Sequence, residues 1–312
     1  MEQPRLSLPP LRKVIRPTTI IEAPRLSKLL GASLTIATET FQHTGSFKFR
    51  AAYNVASHVS QRTIIAASSG NFGQAMAYAC SLLGKSCTIV MPATSARVKI
   101  EAVREYGGEV DLIDVNKTSR AARVAELAAA KPDAYVASAF DDPLVIDGNA
   151  SLGEEIASLG RAFDMVVAPV GGGGLTSGLI TGIRASRRDI QVVGAEPLLA
   201  NDAARSLRAG HIVSNEEEPQ TIADGARTVS VGQHNWAILK DELGGIVEVP
   251  EQKIREAVGL LFSLANLKAE PTGALSIGAL LTEPERFRDR SLCCVVSGGN
   301  VDAEVYREIL KG

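Results

Sequence analysis

Thr44-Gly-Ser-Phe-Lys-Phe-Arg50 sets a single lysine, Lys48, between two phenylalanines. An apolar surround depresses an ammonium pKa and frees the amine to bond to a carbonyl, although on local sequence alone a solvated surface lysine is the plainer alternative. Ser68-Ser-Gly-Asn-Phe72 offers hydroxyls, an amide and the N–H groups of a helix start, which together suit a carboxylate; a Ser/Asn helix cap accounts for it equally well. Gly171-Gly-Gly-Gly174 stands between a buried apolar run and a helical pattern, where unpaired amides and the helix dipole receive a phosphate, or where a flexible turn suffices. It is not a dinucleotide fingerprint, because the third glycine of GxGxxG falls on Thr176 or Ser177. Nor is Gly84-Lys-Ser86 a P-loop, since its first glycine would have to be Ala79.

The elements that position these segments follow from apolar periodicity. Residues 62–67 form a β-branched run, and Phe72, Ala75, Met76, Ala79 and Leu83 then fall on one helical face. Strands are expected at 86–91, 109–114 and 134–138, with helices at 95–106 and 118–130 between them. A polar, irregular stretch at 140–149 separates this block from a second series: strands at 164–170, 191–195 and 291–296, and helices at 175–185 and 251–268. Asn215–Gly225, with Glu216-Glu-Glu-Pro219, reads as surface. The expected fold class is α/β, with two lobes, each a mostly parallel sheet covered by helices, and with functional loops at the carboxyl ends of strands.

Composition narrows the function class. Across 312 residues, 33 basic side chains against 35 acidic ones and 4% aromatics leave neither the charge nor the stacking platforms of a nucleic-acid binder. The start, Met-Glu-Gln-Pro-Arg, lacks the pattern of a secretory signal, and no apolar run is long enough to span a membrane, so a cytoplasmic protein acting on small molecules is expected. Cys80, Cys87, Cys293 and Cys294 show no CxxC spacing, and the adjacent pair would point to opposite faces of a strand; they read as reduced core residues. His43, His58, His211 and His234 form no spaced metal set and read as structural or surface groups.

Thr44–Arg50, Ser68–Asn71, Gly171–Gly174, Glu270-Pro-Thr-Gly273 and Ser297-Gly-Gly-Asn300 occur in the order and spacing of pyridoxal-phosphate enzymes of the tryptophan-synthase β fold, fold type II. More narrowly, the chain resembles the serine/threonine dehydratase and serine racemase group. The resemblance runs over essentially the whole chain and implies a discontinuous large cofactor-binding domain, 1–61 and 142–312, and a small α/β domain, 62–141. It also implies a homodimer. By position, Lys48 matches the lysine that bonds to the cofactor aldehyde and moves the substrate Cα proton. Phe47, Asn71, Gly171, Gly172, Gly173, Gly174, Glu270 and Ser297 match the cofactor surround; the glycines cradle the phosphate, Ser297 faces the pyridine nitrogen and Asn71 faces the ring oxygen. Ser68, Ser69, Gly70, Asn71 and Phe72 match the substrate-carboxylate loop, with Ser69 standing where racemases carry a second acid/base. Glu196, the carbonyl of Ala200 and Asp202 match a divalent-cation site, whose hard oxygens suit Mg²⁺ or Ca²⁺; a solvated acidic helix start is the alternative.

Two departures are visible: Phe72 replaces a frequent histidine, and Asp147-Gly-Asn-Ala-Ser151 replaces Ala-Gly-Gln-Gly-Thr. The expected activity is conversion of a β-hydroxy amino acid such as serine, threonine or 3-hydroxyaspartate to a 2-oxo acid and ammonia. Racemisation through Lys48 and Ser69 is the alternative, followed by β-replacement. A non-catalytic amino-acid or nucleotide sensor is remote, because it would not need Lys48, the glycine cradle and Ser297 together.

Overall fold

The computed structural model describes residues 10–95, 97–186 and 189–311. The N-terminal segment read above for a signal lies outside them, as does Ala96 of the expected 95–106 helix. Among the described residues ten strands build two sheets: β1 (Thr19–Glu22), β2 (Ser33–Thr38), β3 (Thr63–Ala67), β4 (Ser86–Pro92), β5 (Glu109–Ile113), β6 (Tyr135–Ala137), β7 (Met165–Pro169), β8 (Gln191–Pro197), β9 (Leu243–Val249) and β10 (Ser291–Val296). The larger sheet runs β1-β2-β10-β7-β8-β9 and the smaller β5-β4-β3-β6. Every pairing is parallel except β1 with β2.

The central strands β2, β10, β7 and β8 of the larger sheet and β3 and β4 of the smaller are buried on both faces and are therefore mostly apolar rather than alternating, whereas the edge strands β1 and β5 are partly exposed. In β10, Cys293 and Val295 enter one core while Leu292, Cys294 and Val296 enter the other. The two cysteines therefore face opposite sides of the sheet, as the pleat requires, and all four cysteines are free and buried. In β3 the same alternation sends Ile64 and Ala66 to one side of the small sheet and Ile65 to the other. Full burial of each such isoleucine contributes about 1.5–3 kcal/mol.

The stretch at 140–149 is not irregular as expected: a helix spans Pro143–Ala157. Asp142 caps it by accepting from the Leu144 amide, and Pro143 occupies the first turn, where its missing N–H costs nothing. Asp147-Gly148-Asn149 has poor intrinsic helix propensity, but tertiary packing outweighs it. A Cβ at Gly148 would stand 2.7 Å from the Arg50 carbonyl oxygen, so only glycine lets this helix lie against Lys48–His58. Asn54 Nδ2 donates to Asp147 Oδ2 at 3.0 Å, and Asn149 Nδ2 donates to the Gly174 carbonyl at 3.0 Å. The acidic segment 215–225 is also only partly surface: Glu216–Glu218 are exposed, whereas Pro219, Thr221 and Ala223 are buried. Thr221 Oγ1 and the Ile222 amide are held by the Glu251 carboxylate, which pins the segment to the start of the helix Glu251–Ala265. That helix ends at Ala265, three residues short of the expected 268, because Asn266 adopts a left-handed cap with φ 51°.

Candidate active site

Four strand ends deliver the chemistry-bearing segments. Lys48 opens the helix Lys48–His58 after the β2 connection, Ser68–Gly70 follows β3, Gly171–Gly173 follows β7 and Ser297 follows β10. They converge on one cavity of about 670 Å³, lined by Phe47, Lys48, Ser68, Ser69, Gly70, Asn71, Phe72, Gly171–Gly174, Glu270 and Ser297. Every residue read from the sequence as catalytic, cofactor-facing or substrate-facing is thus brought together. Glu196, Ala200 and Asp202 are not part of this lining.

Backbone pairing fixes the lysine loop against the last strand. The Phe47 amide donates to the Ser297 carbonyl at 3.0 Å, the Gly299 amide donates to the Gly45 carbonyl at 3.0 Å, and Ser46 bridges to Gly298. Lys48 Nζ donates to the Ala139 carbonyl at 2.7 Å and stands 5.0 Å from the Phe47 ring centroid and 5.8 Å from that of Phe72. Burial among these groups brings its ammonium down to about 8, and the charge of Glu270 limits the fall. Such an amine is available in its neutral, nucleophilic form near physiological pH.

Also on this cavity, the helix Gly174–Ala185 begins directly behind the glycine run. Its first N–H groups lack intrahelical acceptors, and the helix dipole adds positive potential, so this corner suits an anion. A side chain here would close it off: a Cβ at Gly172 would lie 2.2 Å from the Phe140 ring. Asn235, which the sequence reading overlooked, holds the loop by donating from Nδ2 to the carbonyls of Gly172, at 2.7 Å, and Phe140, at 3.0 Å. Only its place in a polar helix start, Gln233-His-Asn235, could have pointed to it.

The Ser68–Phe72 loop is set by Ser68, whose Oγ accepts from the Gly70 and Gly73 amides at 3.3 and 3.0 Å. The N-cap of the following helix is Gly70, with no side-chain cap, so Ser68 braces the loop and the first turn from two residues upstream, while Ser69 remains open to the cavity. Asn71 Nδ2 donates to Glu270 Oε1 at 2.8 Å. Burial, with the charge of Asp224 adding to it, lifts the Glu270 carboxyl to about 7 against the opposing bond from Asn71. At the mouth of the cavity Lys99 pairs with Asp224, and Arg120 pairs with Glu218 at 2.7 Å. Both pairs link helices flanking the four-stranded sheet to the 215–225 segment, and neither was apparent in the sequence.

Glu196 and Asp202 form a separate buried pair at the end of β8 and the start of the helix Asp202–Ala209. Glu196 accepts from the Ala203 and Ala204 amides at 3.0 and 2.9 Å, while Asp202 Oδ1 accepts from Asn215 Nδ2 at 3.1 Å. Asp202 Oδ2 is buried with no partner among the described residues. Burial pushes Asp202 up to about 6, and burial together with Asp202 raises Glu196 well above the usual carboxylate range. Two adjoining carboxyls with one oxygen unpartnered are compatible with a hard cation. Among the described residues no three His, Cys, Asp or Glu side chains gather as a metal-binding set, so a cation there would also need carbonyl oxygens. The four histidines match the sequence reading: His43 packs on Phe49 and Tyr78, His58 bonds to the Asn54 carbonyl, and His211 and His234 are exposed.

Among the described residues no helix is long and apolar enough to cross a membrane. Residues 11–298 match the family model described as pyridoxal-phosphate dependent enzyme. The chain is 34% identical over 299 residues to the L-threo-3-hydroxyaspartate ammonia-lyase of Pseudomonas sp, covering 95% of this chain and 93% of that one. It is 32% identical to the serine racemase of Bos taurus, covering 94% and 90%. The solved threonine deaminase of T.th. superposes with a TM-score of 0.88 at 38% identity, covering 94% of this chain and 95% of that one. With a desolvated lysine and a glycine-lined helix start on one cavity, and with matches spanning nearly its full length, the chain belongs to the pyridoxal-phosphate dependent enzyme family.

Proposed function

We propose that the protein is an ammonia-lyase that converts a β-hydroxy amino acid to a 2-oxo acid and ammonia. The observation that carries this reading is the placement of Lys48, its amine brought to about 8 by burial, in one cavity with the Gly171–Gly174 helix start and the Ser68–Phe72 loop. The residues fit pyridoxal phosphate: an amine for its aldehyde, a glycine-lined set of amides for its phosphate, and the Ser297 hydroxyl for its ring nitrogen. When bound, the cofactor supplies a carbonyl for the substrate amine and an electron-withdrawing ring that accepts the electron pair left at Cα. Gly171–Gly174 anchor the phosphate, and Phe47 and Glu270 complete the cofactor surround. Ser68, Ser69, Gly70, Asn71 and Phe72 hold the substrate carboxylate. Lys48 takes the Cα proton, and the β-hydroxyl leaves as water with net transfer of that proton; the resulting enamine tautomerises to an imine, whose hydrolysis gives the 2-oxo acid and ammonia. A neutral hydroxyl from Ser297 keeps the ring less electron-withdrawing than a carboxylate partner would, which favours loss of the β-substituent over transamination.

Residues 62–141, as a small domain, would carry the Ser68–Phe72 loop against the larger remainder, and the functional unit is read as a homodimer. Glu196, the Ala200 carbonyl and Asp202 would hold Mg²⁺ or Ca²⁺, a structural ion outside the reaction cavity. Borohydride reduction of the yellow enzyme followed by peptide mass mapping tests the central assignment. The cofactor mass should appear on Lys48, and its appearance on another lysine overturns it. The substrate is found by incubating the protein with L- and D-serine, L- and D-threonine and 3-hydroxyaspartate, and measuring 2-oxo acid and enantiomer ratio in the same samples.

Racemisation is the second reading, favoured by the opening of Ser69 to the cavity. Elimination needs a base on one face of the substrate, whereas inversion needs a proton donor on the other. Ser69→Ala should therefore abolish L/D interconversion while keeping a measurable fraction of L-elimination. A parallel fall in both makes Ser69 a binding residue.

A further inference from the structure

The side-chain amide of Asn71 is gripped at both ends. Its Nδ2 donates to Glu270 Oε1 at 2.8 Å, and its Oδ1 accepts from Asn300 Nδ2 at 2.8 Å. The two grips have opposite polarity when Glu270 is ionised, and the Asn300 grip keeps its polarity at any pH because its amide is itself held by the Thr44 carbonyl. An ionised carboxylate only accepts, and an amide NH₂ only donates. Turning Asn71 about its amide axis would set oxygen against carboxylate and NH₂ against NH₂, losing both bonds and leaving buried polar groups opposed.

Asn300 in turn has little freedom to reverse. The same Nδ2 also donates to the Thr44 carbonyl at 2.7 Å, so rotating this amide would bring its oxygen against a backbone oxygen. Its side chain occupies the space beside Gly45, where a Cβ would stand 2.4 Å from Asn300 Oδ1. Glu270 is seated from the other side, its own amide donating to the Gly298 carbonyl at 3.1 Å. The grip therefore ties together three loops, those carrying Lys48, Asn71 and Ser297. One hydrogen of the Asn71 NH₂ is used by Glu270 and the second is left for a ligand, in a residue that lines the cavity.

We propose that Glu270 and Asn300 are positioning residues that lock the Asn71 amide so that it offers a donor, and not an acceptor, to an oxygen of the bound cofactor. The proposal rests on the reading above that Asn71 faces the cofactor. It extends that reading by giving Asn300 a role and by making the polarity of the amide, rather than its presence, the functional quantity.

The test uses full-length enzyme purified with its cofactor, then resolved and titrated with pyridoxal phosphate. Cofactor affinity and the pH at which the visible band titrates are read together with thermal melting of the resolved forms. Asn300→Asp is nearly isosteric but replaces the donor with an acceptor, which draws the Asn71 NH₂ toward itself and turns the Asn71 oxygen to the cofactor. Asn300→Ala merely releases one end. With the amide polarity locked as proposed, Asn300→Asp should bind cofactor at least about tenfold more weakly than Asn300→Ala, the scale of one hydrogen bond to a charged group, and should shift the band's titration further from wild type. A role limited to filling space predicts the reverse order, and that result would overturn the proposal.

Should Asn300→Asp fail to fold, the other grip decides. Glu270→Gln keeps an acceptor for Asn71 and should retain cofactor about tenfold better than Glu270→Ala; equal loss in the two refutes the lock. Asn71→Ala separates the two levels of argument. If it leaves affinity and band unchanged, the placement of Asn71 on the cofactor is itself wrong. If it weakens binding while the Asn300 and Glu270 pairs show no polarity effect, only the lock fails.

Discussion

Removing the charge of Lys48 should make the cofactor-free protein more stable at neutral pH, although it abolishes turnover. The gap between the ordinary lysine value of 10.5 and about 8 corresponds to roughly 3 kcal/mol of destabilisation carried by the folded state while both states bind the proton. Lys48→Met keeps an unbranched stem against Phe47 and Phe72 and discards the ammonium. It also loses the hydrogen bond to the Ala139 carbonyl, worth about 0.5–1.5 kcal/mol, so the net gain is about 2 kcal/mol. For a chain of 312 residues, with an unfolding entropy of about 2.1 cal/mol/K per residue, that is a rise in Tm of about 3 °C. The pH dependence identifies the cause. Between about 8 and 10.5 the folded amine releases its proton while the unfolded amine keeps it, so wild-type stability climbs with pH across that window. The advantage of Lys48→Met should shrink over the same range and vanish near its upper end. Urea denaturation of both cofactor-free proteins at pH 7, 9 and 10.5 measures this directly. No stabilisation at pH 7, or a gain undiminished at pH 10.5, would refute a desolvated ammonium as the source.

Four other expectations concern the frame around the site. Arg50 is fully buried, donating to both oxygens of Glu39 at 2.8 and 3.0 Å and to both oxygens of Glu155 at 2.8 and 3.1 Å; Arg50→Met leaves two carboxylates uncompensated and should cost about 3–5 kcal/mol in urea denaturation. Burial alone would raise Glu155, but the Arg50 bonds hold it below its ordinary value, so its contribution is present above the usual carboxylate range and is lost as pH falls through the depressed folded value; acid titration of wild type against Glu155→Gln should show the difference at neutral but not at strongly acid pH. Gly172→Ala drives a methyl to within 2.2 Å of the Phe140 ring and should cost about 1–3 kcal/mol by overpacking, with cofactor affinity falling at the same time. Chelation should lower Tm, and Mg²⁺ or Ca²⁺ should restore it, if Glu196 and Asp202 hold a cation; an unchanged Tm with no metal by elemental analysis makes them a plain buried carboxyl pair.

Much of the frame was legible because strands and loops in an α/β chain are locally encoded. The β-branched runs of β3, β7 and β10, and the polar loops that follow them, could be placed from period and composition alone. Cys293 and Cys294 could be assigned to opposite faces because the strand pleat has no other option. The helix Pro143–Ala157 escaped because its signal is the negative of the usual one. Asp147, Gly148 and Asn149 are poor helix formers, kept because the backbone of Lys48–His58 passes too close for a Cβ at Gly148.

The site itself divides along the same line. Lys48, the Ser68–Phe72 loop, Gly171–Gly174 and Ser297 carry their chemistry in residue type and immediate neighbours, so the sequence determined what each could offer. Only the tertiary structure decided how they act together. The bond from Asn71 to Glu270 spans 199 residues and that from Asn300 to Asn71 spans 229, while Lys99–Asp224 and Arg120–Glu218 cross the cavity mouth. A hydrogen bond or an ion pair is set by distance and direction in space, and no local period records either between residues so far apart in the chain. The depressed pKa of Lys48 has the same origin: flanking phenylalanines suggest it, but the desolvation comes from every element that closes around the amine.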